Sequence, residues 1–292
     1  MVFVKLLIMA VGMIFLAACG RGGTTGDSQG LRMALLIDDG SPQSGILFED
    51  FRAGLEAHIG MPVIPIEGVP HLVGIEAMRA GNLDVMWGPP FTYLLARQAT
   101  DVVRLAVTEN PDAVNKTVFI TSRDDIHSLH DLHGRSFAFI TAASTSGFLY
   151  PMYELMTLFN MSRDEIMAGG LFSTVAFSGS QDASIMGVVH GDFDAAAVGN
   201  LNLQSIIASG LVDANNIRII GSTEIIPFPG YIAAGHLPNE IIEKIREFII
   251  SYDNEEYFAE RFGDANTRFV EPDVNSILHL ESMVRALDID LE

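Results

Sequence analysis

The sequence predicts an α/β protein of two lobes with a cleft between them. Three observations carry that expectation. Short apolar strand-like runs alternate with segments of helical period, the alternation restarts near Arg123, and extended crossings separate the two series. In the first series "LRMALLI" is an apolar run bounded by Asp38, Asp39 and Gly40, and "GILFEDFRAGLEAHIG" spaces its apolar positions as a helix and stops at Gly60. "MPVIPIEG" reads as a strand, "HLVGIEAMRAG" as a short helix and "LDVMWG" as a strand. "PPFTYLLARQA" restarts a helix with Pro in its first turn, and "VVRLAVT" and "KTVFITS" follow as strands. This rhythm predicts largely parallel sheets.

The second series repeats the pattern. "SLHDLHGRSFAFIT" is a short helix, a Gly stop and a strand; "STSGFLYPMYELMTLFNM" is a helix that tolerates Pro151 in its early turns. "STVAFSGS", "FDAAAVGN" and "IRIIGST" read as strands, separated by the helices "QDASIMGVVHGD" and "LNLQSIIASG". Pro227 and Pro229 in "EIIPFPGYIAAGHLP" favour an extended crossing, after which "NEIIEKIREFII" and two further helical stretches end the chain. The predicted boundaries are residues 31–121 plus 224–292 for lobe 1 and 122–223 for lobe 2.

With 292 residues, of which 49% are hydrophobic, the chain is long enough for two well-buried lobes. Its net charge of −20 argues against nucleic acid, whose phosphates demand clustered Lys and Arg. Any small anion must therefore be held by local donors rather than by the overall field. At the N-terminus Lys5 precedes the apolar run "LLIMAVGMIFLAA", which is short for a membrane span. That run ends in Leu16-Ala17-Ala18-Cys19 and resembles the lipobox of bacterial lipoproteins, with Cys19 as the acylated residue. Residues 1–18 are then a signal peptide and 19–30 a lipidated Cys with a Gly- and Thr-rich tether. The alternatives are an ordinary secretory signal or an uncleaved anchor. Cys19 is the only cysteine, so no disulfide and no Cys-based metal site forms within the chain.

Catalytic and cofactor signatures fail: there is no H-E-x-x-H and no phosphate-loop motif. His127, His130 and His133 come closest to a metal cluster, but Gly134 ends their segment. The positive signal is a set of strand-to-helix junctions. After "FAFIT" the hydroxyls Ser144, Thr145 and Ser146 sit where first-turn N–H groups lack helical partners, a donor-rich position for an oxyanion. Taken alone, the triplet reads as an N-cap with two surplus polar neighbours, and context must decide. Trp87, Gly88 and Tyr93 surround a second junction, and Ser178, Ser180 and Gln181 a third. By themselves Tyr93 reads as a core or edge aromatic and Gln181 as a surface cap. Together the junctions point to a ligand at the carboxyl ends of the strands.

Three stretches, "DVMWGPPFTYLLA", "LHGRSFAFITAASTSGFLYP" and "FSGSQDASIMGVVHGDFDAAAV", resemble signatures of the phosphonate/phosphite-binding family, with "GIEAMRAGNLDV" before the first. These are substrate-binding components of ABC importers with the type II periplasmic binding fold, and the similarity runs over most of residues 31–240. The resemblance implies an oxyanion grip by Ser144, Thr145 and Ser146, with Tyr93 donating from the opposite lobe. His71 stands where the family usually has Tyr, and Gln181 where it usually has an anion-donating His. Gln donates through its amide without carrying charge. Trp87 is either a wall beside the ligand or a core residue. Family members that bind aminoalkylphosphonates carry acidic residues after "DAAAV" and near the second crossing, where this chain offers only Glu224. The resemblance therefore implies a small phosphorus oxyanion (phosphite, phosphate or a simple alkylphosphonate), no cofactor, permease and ATPase partners, a monomer, and an exported protein held to the membrane by lipid. The competing readings are a ligand-sensing lipoprotein and, less favoured, an enzyme on the same fold.

Overall fold

In a computed structural model the described residues are 30–34, 42–273 and 275–289. The signal-like run, Cys19 and the tether up to residue 29 lie outside them, as does the stretch 35–41. The first lobe opens with β1 (Leu31–Ala34), α1 (Pro42–Ile59), β2 (Val63–Ile66), α2 (His71–Arg79), β3 (Val85–Gly88), α3 (Pro90–Ala99) and β4 (Val102–Glu109). The chain then crosses to β5 (Lys116–Thr121) and β6 (Ser136–Phe139), and a π-helical turn over Thr145–Leu149 runs directly into α4 (Tyr150–Phe159). The one-turn α5 (Arg163–Glu165), β7 (Thr174–Phe177), α6 (Gln181–His190), β8 (Ala195–Gly199), α7 (Asn200–Ala208) and β9 (Arg218–Ile225) follow. After the second crossing come β10 (Gly230–Ala234), α8 (Asn239–Ser251), α9 (Glu255–Phe262), β11 (Arg268–Val270) and α10 (Asn275–Ala286).

Two sheets result, with strand orders β2-β1-β3-β10-β4-β11 and β7-β6-β8-β5-β9. Each contains the same parallel trio, β2-β1-β3 in one and β7-β6-β8 in the other. Each trio is extended by an antiparallel strand that has just crossed from the other lobe: β10 beside β3, and β5 beside β8. Because the trios are parallel, the helices that follow their strands all begin at one end of each sheet.

This arrangement corrects the sequence reading in three places. β5 was expected in the first lobe but hydrogen-bonds to β8 and β9 in the second sheet, so the crossings fall at 110–115 and 226–229. Strand periodicity identifies a strand without saying which sheet will accept it. The sheets are mixed rather than largely parallel, and β11, a three-residue strand paired antiparallel to β4, was not expected at all.

Each lobe has its own aromatic core. In the first, Phe51 stacks on Tyr257 at 5.4 Å and on Tyr231 at 5.9 Å, with Phe269 edge-on to Tyr231. In α8, Ile242, Ile245 and Ile249 are buried at spacings of three and four residues against this core. The second core centres on Phe137, which stacks on Phe172 at 4.5 Å. Full burial of side chains of this size stabilises the fold by about 1.5–3 kcal/mol each. The second cluster crosses the lobe boundary: Phe91 and Leu94 of α3, and Ile277, Leu280 and Met283 of α10, pack into it. The last helix thus braces both lobes.

The crossings are bonded to each other. Ile226 N–H donates to the Asn115 carbonyl at 2.8 Å, and Asn115 Nδ2 donates to the Ile226 carbonyl at 3.3 Å. Thr108 N–H donates to the Pro229 carbonyl at 2.9 Å. At the opposite end of the first sheet, buried Asp84 accepts from Arg32 N–H, Nε and Nη2 and lies 2.9 Å from His236 Nε2.

Candidate ligand-binding site

The hydroxyl triplet sits at the carboxyl end of β6, the central strand of its parallel trio, at the head of the π-turn and α4. Ser144 caps this helix: its Oγ accepts from Gly147 N–H at 2.9 Å. Thr145 and Ser146 occupy the first two helical positions, and their N–H groups have no acceptor among the described residues, as expected for a first turn. Gly147 is required here because a Cβ would collide with Ile140, and that close approach pulls the turn onto the strand. Thr117, just past the first crossing, anchors the turn by donating its Oγ1–H to the Ser146 carbonyl at 2.6 Å.

The hydroxyl oxygens are all engaged as acceptors of protein N–H groups. Ser144 Oγ takes Gly147 N–H, Thr145 Oγ1 takes Phe91 N–H at 2.9 Å, and Ser146 Oγ takes Gln181 Nε2 at 3.1 Å. None of them donates to the protein among the described residues, so three O–H protons remain available beside two free amides. Every group so placed is neutral, and a site of neutral donors at a helix start suits an anion without recourse to a cation.

The lobes meet at this point. Phe91 belongs to α3, whose cap Pro89 and first residue Pro90 remove two N–H groups and leave those of Phe91 and Thr92 as the leading donors. Besides the Phe91–Thr145 bond, buried Thr92 donates its hydroxyl to the Ala143 carbonyl at 3.3 Å. The head of one helix thus faces the head of another across the cleft. Two more helices begin at the same end of the second sheet. α6 starts with Gln181 after its cap Ser180, and α7 starts with Asn200, whose Oδ1 accepts from Lys116 N–H at 2.8 Å.

Known proteins place this geometry in context. The profile described as "ABC transporter, phosphonate, periplasmic substrate-binding protein" matches residues 39–276. The chain belongs to this family. Among curated relatives, the phosphate-import protein PhnD of Mycolicibacterium smegmatis is 26% identical over 216 residues, covering 70% of this chain and 66% of that protein, just under two thirds of its length. The probable ABC transporter phosphite-binding protein PhnD1 of Prochlorococcus marinus is 24% identical over 256 residues, covering 82% of this chain and 84% of the relative. The solved structure of PhnD1 from Prochlorococcus marinus in complex with methylphosphonate superposes with a TM-score of 0.75 at 21% identity, over 90% of this chain and all of that one. The family's two-lobe periplasmic binding fold is the fold of this chain.

Of the residues the family resemblance singled out, the structure sets Ser144, Thr145 and Ser146 at one helix head, each oxygen accepting an N–H, and brings Gln181 into hydrogen-bond contact with Ser146. His71 opens α2 at the same end of the first sheet as the start of α3, and its Nε2 is buried. Trp87 takes the core alternative: it lies in the aromatic core of the first lobe, edge-on to Tyr231 at 4.9 Å and beside Phe262 and Phe269, because its face of β3 looks onto α1 and α8. Tyr93 is held between two guanidinium groups, with Arg104 at 5.5 Å and Arg97 at 5.8 Å from its ring centre. Its ring lines a cavity of about 360 Å³ with Arg104, Arg246 and Asp273. Burial pushes the Arg104 pKa down, against the attraction of Tyr93 and Asp273. Glu224 is engaged with α10, where His279 Nε2 lies 2.6 Å from its carboxylate.

The reading of the sequence missed Phe91 N–H, Thr92 and Gly199. A backbone donor has no letter in a sequence, although the Pro-Pro pair pointed to where α3 begins. Gly199 did carry a signal, since "AAAVGN" is a fourth strand–helix junction. A Cβ there would lie 2.7 Å from Asn202 Oδ1, 3.5 Å from Gln181 Nε2 and 3.6 Å from Ser146 Oγ.

Proposed function

We propose that this chain is a lipid-anchored substrate-binding component of an ABC importer. It captures a small phosphorus oxyanion, namely phosphite, phosphate or a simple alkylphosphonate, by closing its lobes and presents it to a membrane permease and its ATPase. Membership of the family supports the transport role. The observation that carries the ligand class is the hydroxyl triplet, whose three available O–H protons and two free N–H groups face the head of α3 across the cleft. A tetrahedral oxyanion needs donors on several sides, and a hydrogen bond to a charged partner contributes about 1.5–3 kcal/mol. Closure about the 110–115 and 226–229 crossings brings in donors from the first lobe.

Several further points support the same reading. Among the described residues Glu224, the carboxylate nearest the second crossing, is paired with His279, which favours oxyanions without an ammonium group. No described helix is long and apolar enough to cross a membrane, and the lipobox-like Cys19 supplies the proposed anchor instead. The transport names of the relatives support a binding protein rather than an enzyme.

The test is a thermal-shift series with phosphite, phosphate, methylphosphonate and aminoethylphosphonate. A ligand at 100 times its Kd raises apparent stability by about 2.7 kcal/mol. The expected result is a clear rise in melting temperature with at least one of the first three and the smallest rise with aminoethylphosphonate. No rise with any of them rejects the ligand class.

A further inference from the structure

Gln181 touches Ser146, and its own orientation is determined by a second contact. Gly199 N–H can only donate, and it donates to Gln181 Oε1 at 2.9 Å. The amide oxygen is therefore on the Gly199 side and the NH2 group on the other, which settles which end of the amide meets Ser146. Nε2 lies 3.1 Å from Ser146 Oγ and donates to it. With that lone pair occupied and its carbonyl held by Thr117, Ser146 presents its hydroxyl proton away from the protein.

We propose that Gln181 is a positioning residue: it aims the Ser146 proton at the ligand and does not itself hold the ligand. This refinement rests on the oxyanion reading above. It makes the triplet a face of three donors whose oxygens already accept an N–H group, Ser144 and Ser146 from Gly147 and Gln181 of their own lobe and Thr145 from Phe91 across the cleft. Such a face accepts ligand oxygens that bear lone pairs and no proton, the ionised XO3 face of a phosphonate or phosphite. A protonated P–OH turned towards Ser146 would be a weaker acceptor than an ionised oxygen and would find no acceptor there for its own proton. The Gly199 position fits the same chain of contacts. The absence of a side chain keeps the space beside Gln181 Nε2 and Ser146 Oγ clear, and the strand-end amide then fixes the side-chain amide.

A residue acting through Ser146 and one contacting ligand directly respond differently to loss of Ser146. The decisive experiment is a double-mutant cycle of Gln181→Met and Ser146→Ala, titrated calorimetrically with methylphosphonate and accompanied by thermal melts. Gln181→Met alone is expected to weaken binding about tenfold, and to weaken it less than twofold further when Ser146 is already Ala. An equal loss in both backgrounds overturns the proposal, since it means that Gln181 meets the ligand itself.

A ligand-free measurement accompanies the cycle. In NMR spectra the Gln181 side-chain amide protons are expected to exchange slowly with solvent in the wild-type chain and at least tenfold faster in Ser146→Ala. Equal exchange rates overturn the positioning role. If the wild-type chain binds no methylphosphonate, the functional reading fails for that probe while the exchange comparison still decides the role of Gln181. The same comparison decides it if Gln181→Met does not fold.

Discussion

Thr145 joins the two halves of the site, and replacing it by Val removes its hydroxyl while keeping its branched shape. The side chain is 1% exposed, so an isosteric change is needed to leave packing intact. Two losses follow. The bound anion loses an O–H donor, about 1.5–3 kcal/mol for a hydrogen bond to a charged group. Phe91 N–H, 2.9 Å from Thr145 Oγ1, loses its acceptor, at a cost of about 1–3 kcal/mol where it is buried by closure. When the lobes are apart that N–H turns to water, so both losses fall on the closed, liganded state. The smallest sum, about 2.5 kcal/mol, corresponds to a weakening of about 60-fold at ~1.4 kcal/mol per factor of ten. The assay is calorimetric titration with methylphosphonate, paired with a thermal melt of the ligand-free chain. Thr92→Val is the control, because Thr92 bonds across the lobes to the Ala143 carbonyl at 3.3 Å. Loss of an ordinary hydrogen bond, ~0.5–1.5 kcal/mol, weakens binding only about 2- to 12-fold. Affinity of Thr145→Val within threefold of wild type would refute the assignment of the grip. Equal losses in the two variants would mean that Thr145 matters only as a latch.

Other outcomes follow from the same geometry. Trp87→Phe should lower the melting temperature through lost packing against Tyr231 and Phe269 and leave methylphosphonate affinity within about twofold; the two readouts are taken on one preparation. Gly199→Ala should weaken binding a few-fold with little change in melting, since its Cβ would lie 2.7 Å from Asn202 Oδ1, forcing that side chain to shift, while meeting Gln181 Nε2 and Ser146 Oγ only in ordinary contact. For Asp84, burial pushes the carboxyl pKa up, but the hydrogen bonds from Arg32 and His236 outweigh burial and hold it below the usual carboxylate range. Its contribution to stability is then present above the ordinary carboxylate pKa and is lost as pH falls through the lowered value. Denaturation midpoints measured from pH 5 downwards should fall less steeply in Asp84→Asn, which starts about 2–4 kcal/mol less stable because Arg32 is left without its carboxylate. The proposed lipid anchor rests on the sequence alone; on that proposal Cys19→Ser should release the protein from the membrane fraction without altering methylphosphonate affinity, as read by fractionation and calorimetry.

Local rules and side-chain chemistry were legible in the sequence, while pairings across the fold were not. "STSGFLYP" announced a helix start rich in hydroxyls because Ser at a cap and Gly three residues on obey local sterics, and the structure has that start with Ser144 as cap. The π-turn was not legible, since nothing in residue type separates its first turn from an α-turn. β5 was recognised as a strand, yet its partner sheet depends on where the polar stretch 109–115 carries it, which periodicity does not encode. Trp87 entered the reading through its nearness to the α3 junction, with a core role as its alternative, and Tyr93 through the family resemblance. On β3, alternation sends Trp87 to the core face, and on α3 the helical turn sets Tyr93 between Arg97 and Arg104. Gln181 and Ser146 stand 35 positions apart, and only the parallel pairing of β6 with β7 brings their junctions together.

The most direct test of the oxyanion site is an amide NMR titration of the folded chain with phosphite and methylphosphonate. The expected result is saturable shifts concentrated at Ser144–Gly147, Gly199 and Phe91–Thr92, the amides that surround the hydroxyl triplet. Shifts confined to Tyr93, Arg104 and the neighbouring cavity, or no saturable shift at all, would contradict it.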